Sequence, residues 1–254
     1  MIWQDIAGNS VLIPPQPVAL IHFLGGAFVA TAPQATYRRL LEGLADQGYA
    51  VITTPFITTI DHAEIADNVL YQFEQALGRL HQTAQLQRFL PIYGMGHSMG
   101  CKLHLLIGSL FEVKRAGNIL ISFNNSPIEK AIPLAGWITP VVPIEFSPSP
   151  EQTNRLVQQQ YQVPRNLLVK FSNDTLDQTL RLSGLLERRF PGMISVQRLA
   201  GNHLTPLGQE WRWQPGDTFT PLDAMGQWFQ QELYRELNQL ERTIVRWLDP
   251  LWIN

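Results

Sequence analysis

Short apolar runs that alternate with longer amphipathic stretches set the tightest limit on what this chain can fold into. Runs at Val18–Phe23, Tyr49–Thr53, Leu90–Gly94, Ile119–Phe123, Leu167–Phe171 and Ile194–Leu199 have strand length and are rich in Ile, Leu and Val, after a weaker opening at Val11–Ile13. Between them, Thr36–Gln47, Ala63–Gln85, Asp177–Arg189 and Leu222–Leu248 carry apolar residues at helical spacing. Strand and helix in alternation predict a mostly parallel central sheet covered by helices on both faces, an α/β class chain. With 254 residues a single such domain, 1–254, buries a full core.

One stretch breaks the rhythm. From Asn124 to Pro164 prolines fall at 127, 133, 140, 143, 148, 150 and 164 around the apolar sequence IPLAGWITPVVPIEF. A connection this long inside a compact domain is usually functional, so residues 125–164 are expected to form a cap or lid insertion over the sheet's carboxyl edge.

The chemistry concentrates in Gly96-His97-Ser98-Met99-Gly100, set between the strand Leu90–Gly94 and the apolar helix Cys101–Leu110. A serine in a sharp strand-to-helix turn projects its hydroxyl above the sheet, and glycine two residues to either side removes side chains that would collide there. Acyl transfer also requires a histidine to take the serine proton and a carboxylate to orient that histidine. Downstream of Ser98 only His104 and His203 remain, and His104 lies inside the helix after the turn, which leaves His203 in Gly201-Asn202-His203-Leu204-Thr205-Pro206. For the acid, Asp174 stands three residues past the strand Leu167–Phe171, whereas Asp177 stands where a helix N-cap is wanted. Asp174 is the expected acid, with Asp177 as the alternative. An oxyanion hole would take one backbone N–H from Met99 and one from Leu24 or Gly25, in His22-Phe23-Leu24-Gly25-Gly26. Flanking residues His22, Phe23, His97, Asn124 and Trp137 are the expected substrate contacts.

Taken in order, HFLGGAF, GHSMGCKLH, FSNDTLDQ and GNHLTP resemble the α/β-hydrolase superfamily and, more closely, a hydrolase-like family of cyanobacteria and plastids. The resemblance implies an α/β-hydrolase fold with a cap, and a Ser98, His203, Asp174 triad. It departs from the usual His-Gly pair at the oxyanion loop, where Phe23 stands in the glycine position. No substrate is implied, because that closer family has no agreed reaction.

The expected function is therefore a cofactor-free serine hydrolase of an ester or thioester, with a lipophilic acyl or alcohol group favoured by the apolar insertion. The alternative is a non-catalytic protein of the same fold that binds a lipid, pigment or protein partner. His22, His62, His81, His97 and His104 show no metal-ligand spacing, so no metal is expected. Gly25-Gly26 lacks the pattern of a dinucleotide site, and Cys101 reads as a small buried hydrophobe. A net charge of -2 without single-sign runs argues against nucleic acid. A single cysteine and no visible signal or spanning segment point to a soluble cytoplasmic protein. Of 7 tryptophans, Trp211, Trp213, Trp228, Trp247 and Trp252 lie near the C-terminus; packing of the last helix, a dimer contact and a peripheral membrane contact each fit them.

Overall fold

The computed structural model describes residues 1–126, 145–208 and 221–249, with side chains in the last stretch from residue 234 onward. Its strands are β1 (Gln4–Ile6), β2 (Asn9–Leu12), β3 (Ala19–Leu24), β4 (Tyr49–Thr53), β5 (Ile92–His97), β6 (Gly117–Ile121), β7 (Asn166–Phe171) and β8 (Ile194–Leu199). They form one sheet in the order β1-β2-β4-β3-β5-β6-β7-β8. β2 runs antiparallel to β1 and β4, while every pairing from β4 to β8 is parallel. The helices are α1 (Pro33–Thr36), α2 (Arg38–Asp46), α3 (His62–Gln82), α4 (Met99–Leu110), α5 (Pro150–Gln160), α6 (Thr179–Arg189) and α7 (Pro221–Leu248).

Strand alternation sorts the core into two layers. Ile21 and Phe23 of β3, Ile119 and Ile121 of β6, and Val169 and Phe171 of β7 meet Leu40, Leu41 and Leu44 of α2 and Leu237, Leu240 and Ile244 of α7. Their neighbours face the other way. Leu20 and Leu24 pack with Ile65, Val69 and Phe73 of α3 and with Leu103 and Leu106 of α4. Leu120 and Leu168 pack with Cys101 and Leu105 of α4, Val157 of α5 and Leu182 of α6. This is the α/β-hydrolase arrangement: a mostly parallel sheet flanked on both faces, with its insertion between β6 and β7.

Much of that insertion, including Trp137 and the prolines from 127 to 143, lies outside the described residues. Its later part is helix α5, which begins at a capping box: Ser149 Oγ accepts from Gln152 N–H, and the Gln152 side chain accepts from Ser149 N–H. The ends of the insertion are pinned. Asn125 donates to Pro150 O, Lys102 Nζ donates to Pro148 O at 2.9 Å, and the N–H groups of His62 and Ala63 both donate to Ser147 O.

Trp247 is half-buried against the core, edge-on to Tyr93 and under the Arg165 guanidinium at 3.9 Å, so for this tryptophan packing is what the structure shows. Among the described residues no helix is long and apolar enough to cross a membrane.

Candidate active site

β5 runs into α4 with a single residue between them, and that residue is Ser98 at φ 54, ψ -114. A non-glycine residue in this region is strained and persists only where its surroundings over-determine it. Two hydrogen bonds do so: Ser98 N–H donates to Ile121 O at 2.9 Å, and Cys101 N–H donates to Ser98 O at 3.1 Å. The flanking glycines are required by contact. A Cβ on Gly96 would lie 2.5 Å from Gly100 C and O and from Cys101 N, and a Cβ on Gly100 would lie 2.1 Å from Leu24 O. Helix α4 therefore starts directly against the Leu24–Gly25 backbone, with its N-terminal dipole beside Ser98.

Three chain segments far apart in sequence meet at that serine. His203 Nε2 lies 3.0 Å from Ser98 Oγ, and His203 Nδ1 lies 2.8 Å from Asp174 Oδ2. A carboxylate only accepts, so Nδ1 carries a proton, and in the neutral ring Nε2 is the acceptor that faces the serine hydroxyl. Asp174 Oδ1 accepts a second hydrogen bond from Leu176 N–H at 2.9 Å. Burial alone would raise the Asp174 pKa, but the His203 hydrogen bond and charge, together with Leu176 N–H, bring it below the ordinary 3.8. Asp177 is engaged elsewhere: its carboxylate accepts from Thr179 N–H and Thr179 Oγ1, both at 2.8 Å, and pairs with Lys170 Nζ at 3.2 Å.

The turn that presents His203 is built by its own motif. Asn202 Oδ1 accepts from Leu204 N–H, Asn202 N–H donates to Thr205 Oγ1, and Thr205 Oγ1 donates to Glu236 of α7 at 3.1 Å. Gly201 has φ 123, and a Cβ there would meet Thr205 Oγ1 at 2.5 Å.

The expected substrate contacts divide. Asn124 is half-buried just beyond β6, where its Oδ1 accepts from Ser126 N–H. His22, Phe23 and His97 do not face a substrate. β3 extends to Leu24, which places His22 two residues inside the strand on the α3/α4 side. There it stacks on Phe73 at 4.1 Å, bonds to Thr54 Oγ1 and accepts from Arg115. Phe23 turns to the opposite layer, fully buried and edge-on to Tyr37 at 4.7 Å. His97 is 2% exposed and has both ring nitrogens engaged, with Tyr37 Oη at 2.7 Å and His203 O at 2.9 Å.

Two features escaped the sequence. Tyr37 sits among residues of helical spacing with nothing to mark it, yet its hydroxyl reaches both Gly26 N–H, at 2.8 Å, and His97. The second is an apolar rim: Ile57, Ile60, Leu176 and Leu204 are 75%, 52%, 46% and 56% exposed on the loops after β4, β7 and β8, at the same sheet edge as Ser98. Among the described residues no group of His, Cys, Asp and Glu could hold a metal ion.

A family model described as "Protein of unknown function (DUF1350)" matches residues 2–250. No curated protein is similar to the chain in sequence. Solved structures match it in fold. Esterase B from Lactobacillus rhamnosis, inhibited by a tributyrin phosphonate, superposes with a TM-score of 0.58 at 14% identity, covering 92% of this chain and 81% of that one. The fluorophosphonate-binding serine hydrolase F of Staphylococcus aureus gives 0.54 at 16% identity over 90% and 91% of the two chains. A thioesterase of Silicibacter sp., itself assigned only provisionally, gives 0.53 at 14% identity over 78% and 74%. At such identities the likeness speaks for the α/β-hydrolase fold.

Proposed function

Because the chain belongs to the DUF1350 family, whose description carries no reaction, we propose its activity from the site: a cofactor-free serine hydrolase that cleaves an ester or thioester with a lipophilic acyl or alcohol group. The observation that carries this is the pair of contacts on His203, 3.0 Å to Ser98 Oγ and 2.8 Å to Asp174 Oδ2, with the tautomer fixed by the carboxylate.

In this reading Ser98 Oγ attacks the substrate carbonyl carbon while its proton passes to His203 Nε2. Asp174 steadies the imidazolium without taking its proton. The developing oxyanion is met by Met99 N–H at the start of α4 and by an N–H of the Leu24–Gly25 segment, each donor typically contributing about 2.7 to 4 kcal/mol. Gly26 N–H is already bonded to Tyr37. Collapse of the tetrahedral species breaks the bond to the leaving alcohol or thiol, which takes the proton from His203. Water then repeats the sequence on the acyl-serine and releases the acid. The substrate class rests on the apolar rim of Ile57, Ile60, Leu176 and Leu204 and on the apolar sequence of the 125–164 insertion, which we assign as the cap. The finer likeness to a hydrolase-like family of cyanobacteria and plastids adds no reaction to this choice.

The test is labelling of the purified chain by a fluorophosphonate probe, followed by an ester screen over acyl length. Labelling of wild type that is lost in Ser98→Ala and His203→Ala, with rates rising with acyl length, is expected. A folded wild type that does not label would overturn the hydrolase reading in favour of a non-catalytic binding protein, and a preference for short, charged esters would overturn the lipophilic assignment.

A further inference from the structure

Three hydrogen bonds, the first two of them buried, run from the loop after β3 to the turn that carries His203, and their direction is fixed. The His203 carbonyl can only accept, so His97 Nε2 carries the ring proton and donates at 2.9 Å. His97 Nδ1 is then bare and accepts from the Tyr37 hydroxyl at 2.7 Å. The Tyr37 oxygen in turn accepts from Gly26 N–H at 2.8 Å. Burial, with the neighbouring His203 acting in the same direction, lowers the His97 pKa to about 3, so the ring stays neutral at working pH and the pattern does not reverse. Burial likewise raises the Tyr37 phenol, which remains a donor.

Both ends of this relay lie against Ser98. An atom in the Cβ position of Gly26 would be 3.5 Å from Ser98 Cβ and 3.3 Å from His97 Nδ1, so the loop passes directly over the serine. At the other end the His203 backbone is held by His97 while its ring meets Ser98 Oγ. His97 is itself the residue before Ser98, at the end of β5. The relay thus joins three separate elements at the three points around the reacting hydroxyl. Phe23 has a place in it, since its ring packs edge-on against Tyr37 and orients the phenol.

We propose that Tyr37 and His97 are positioning residues of the proposed hydrolysis, holding the oxyanion loop and the His203 turn in one fixed arrangement about Ser98. This rests on the serine-hydrolase reading above. Neither side chain touches the reacting atoms, so their effect is on alignment, where a displacement of about 1 Å can cost on the order of a hundredfold in rate.

The experiment measures the second-order rate and the final extent of fluorophosphonate labelling across pH, together with thermal melting, for wild type, Tyr37→Phe, His97→Ala and His97→Gln. Tyr37→Phe removes only the hydroxyl, and the Gln amide N–H can restore the bond to His203 O. We expect Tyr37→Phe and His97→Ala to label about ten- to a hundredfold more slowly while still reaching one probe per chain, with His97→Gln recovering part of the rate. In wild type, side-chain 15N NMR should show His97 protonated at Nε2 and bare at Nδ1 from pH 5 to 9. Variants that label at the wild-type rate, or that lose extent but not rate, would overturn the positioning role and leave the hydrolase reading standing. Should Tyr37→Phe not fold, the His97 pair decides alone: equal rates for Ala and Gln sink the idea. A folded wild type that does not label removes the hydrolase reading and this role together.

Discussion

Two carboxylates three residues apart, Asp174 and Asp177, have opposite duties, and the difference is decided by which N–H groups surround each. Asp174 receives His203 Nδ1–H and Leu176 N–H, whereas Asp177 receives the N–H and hydroxyl of Thr179 at the start of α6. Asp174→Asn keeps the size but presents an amide that favours the wrong imidazole tautomer, so fluorophosphonate labelling of the folded variant should slow by about 10⁴-fold. Asp177→Ala should do the reverse, costing about 1 kcal/mol or more of stability through the lost hydrogen bonds to Thr179 and Lys170 and leaving labelling at the wild-type rate. A labelling defect in Asp177→Ala equal to that of Asp174→Asn would overturn the assignment. Protonation gives an independent check. The Asp174 pKa is lowered on folding, so its contribution to stability is present above the ordinary value of 3.8 and is lost as pH falls through the folded value. The stability gap between wild type and Asp174→Asn should therefore be constant near neutrality and shrink below about pH 4, as read by urea unfolding at several pH values.

At the scale of elements, α4 is the hub, because Ser98 caps it and one of its residues anchors the insertion. Lys102 is 2% exposed, donates to Pro148 O and lies 5.6 Å from the Phe146 ring, and it makes no ion pair among the described residues. Phe146 in turn stacks on His62, at the start of α3. Burial lowers the Lys102 pKa from 10.5 to about 7, with Glu151 opposing the shift, and burial next to Lys102 brings His62 to about 3. Between pH 7 and 10.5 the unfolded chain binds the proton that the folded chain has given up, so stability should rise with pH across this window. Lys102→Met keeps the aliphatic bulk and should abolish that rise; urea midpoints at pH 6.5 and 9.5 that shift alike in both proteins would count against a titrating anchor. The strands and long helices around this hub were largely legible, since β4, β8 and α7 follow directly from apolar periodicity. β5 runs three residues past the apolar run Leu90–Gly94, because its two glycines are strand residues demanded by contact: Gly94 by Asn118 and His104, and Gly96 by the α4 backbone. α5 was concealed by prolines 148 and 150, although Ser149 and Gln152 stood in the sequence as a capping box with Pro150 in the first turn.

Across the whole molecule, what sequence conveyed best was chain order and what it conveyed least was strand parity. Ser98, Asp174 and His203 each sit in a short motif beyond a strand, and a parallel sheet gathers all such strand ends at one edge. His22 lies inside both the expected run Val18–Phe23 and the observed β3, and strand parity turns it to the face covered by α3 and α4. There it begins a polar row that parity explains. His22, Gly94, Asn118 and Asn166 are register partners on successive strands, so they line one face of the sheet from β3 to β7 beneath the helices. A Cβ on Gly94 would lie 2.3 Å from Asn118 Oδ1 and 2.7 Å from His104 Nδ1, which is why the row contains a glycine. Its members are unequal. Asn118 Nδ2 donates to Tyr161 Oη at 2.7 Å, but its Oδ1 has no partner. Asn166 Oδ1 accepts from the Tyr161 hydroxyl at 2.7 Å, and its Nδ2 donates to Val163 O and Pro164 O. Removal of Asn166 leaves a buried hydroxyl and two carbonyls without their partner, whereas removal of Asn118 also deletes an acceptor that was never satisfied. Asn166→Val should therefore cost about 2 to 4 kcal/mol and Asn118→Val less than about 1 kcal/mol. Because the row spans the middle of one continuous sheet, the loss in Asn166→Val should appear equally in the slowest-exchanging amides of β3 and β7. Hydrogen exchange confined to β7 and its loop would show that the row stabilises one edge of the sheet and not the molecule as a unit.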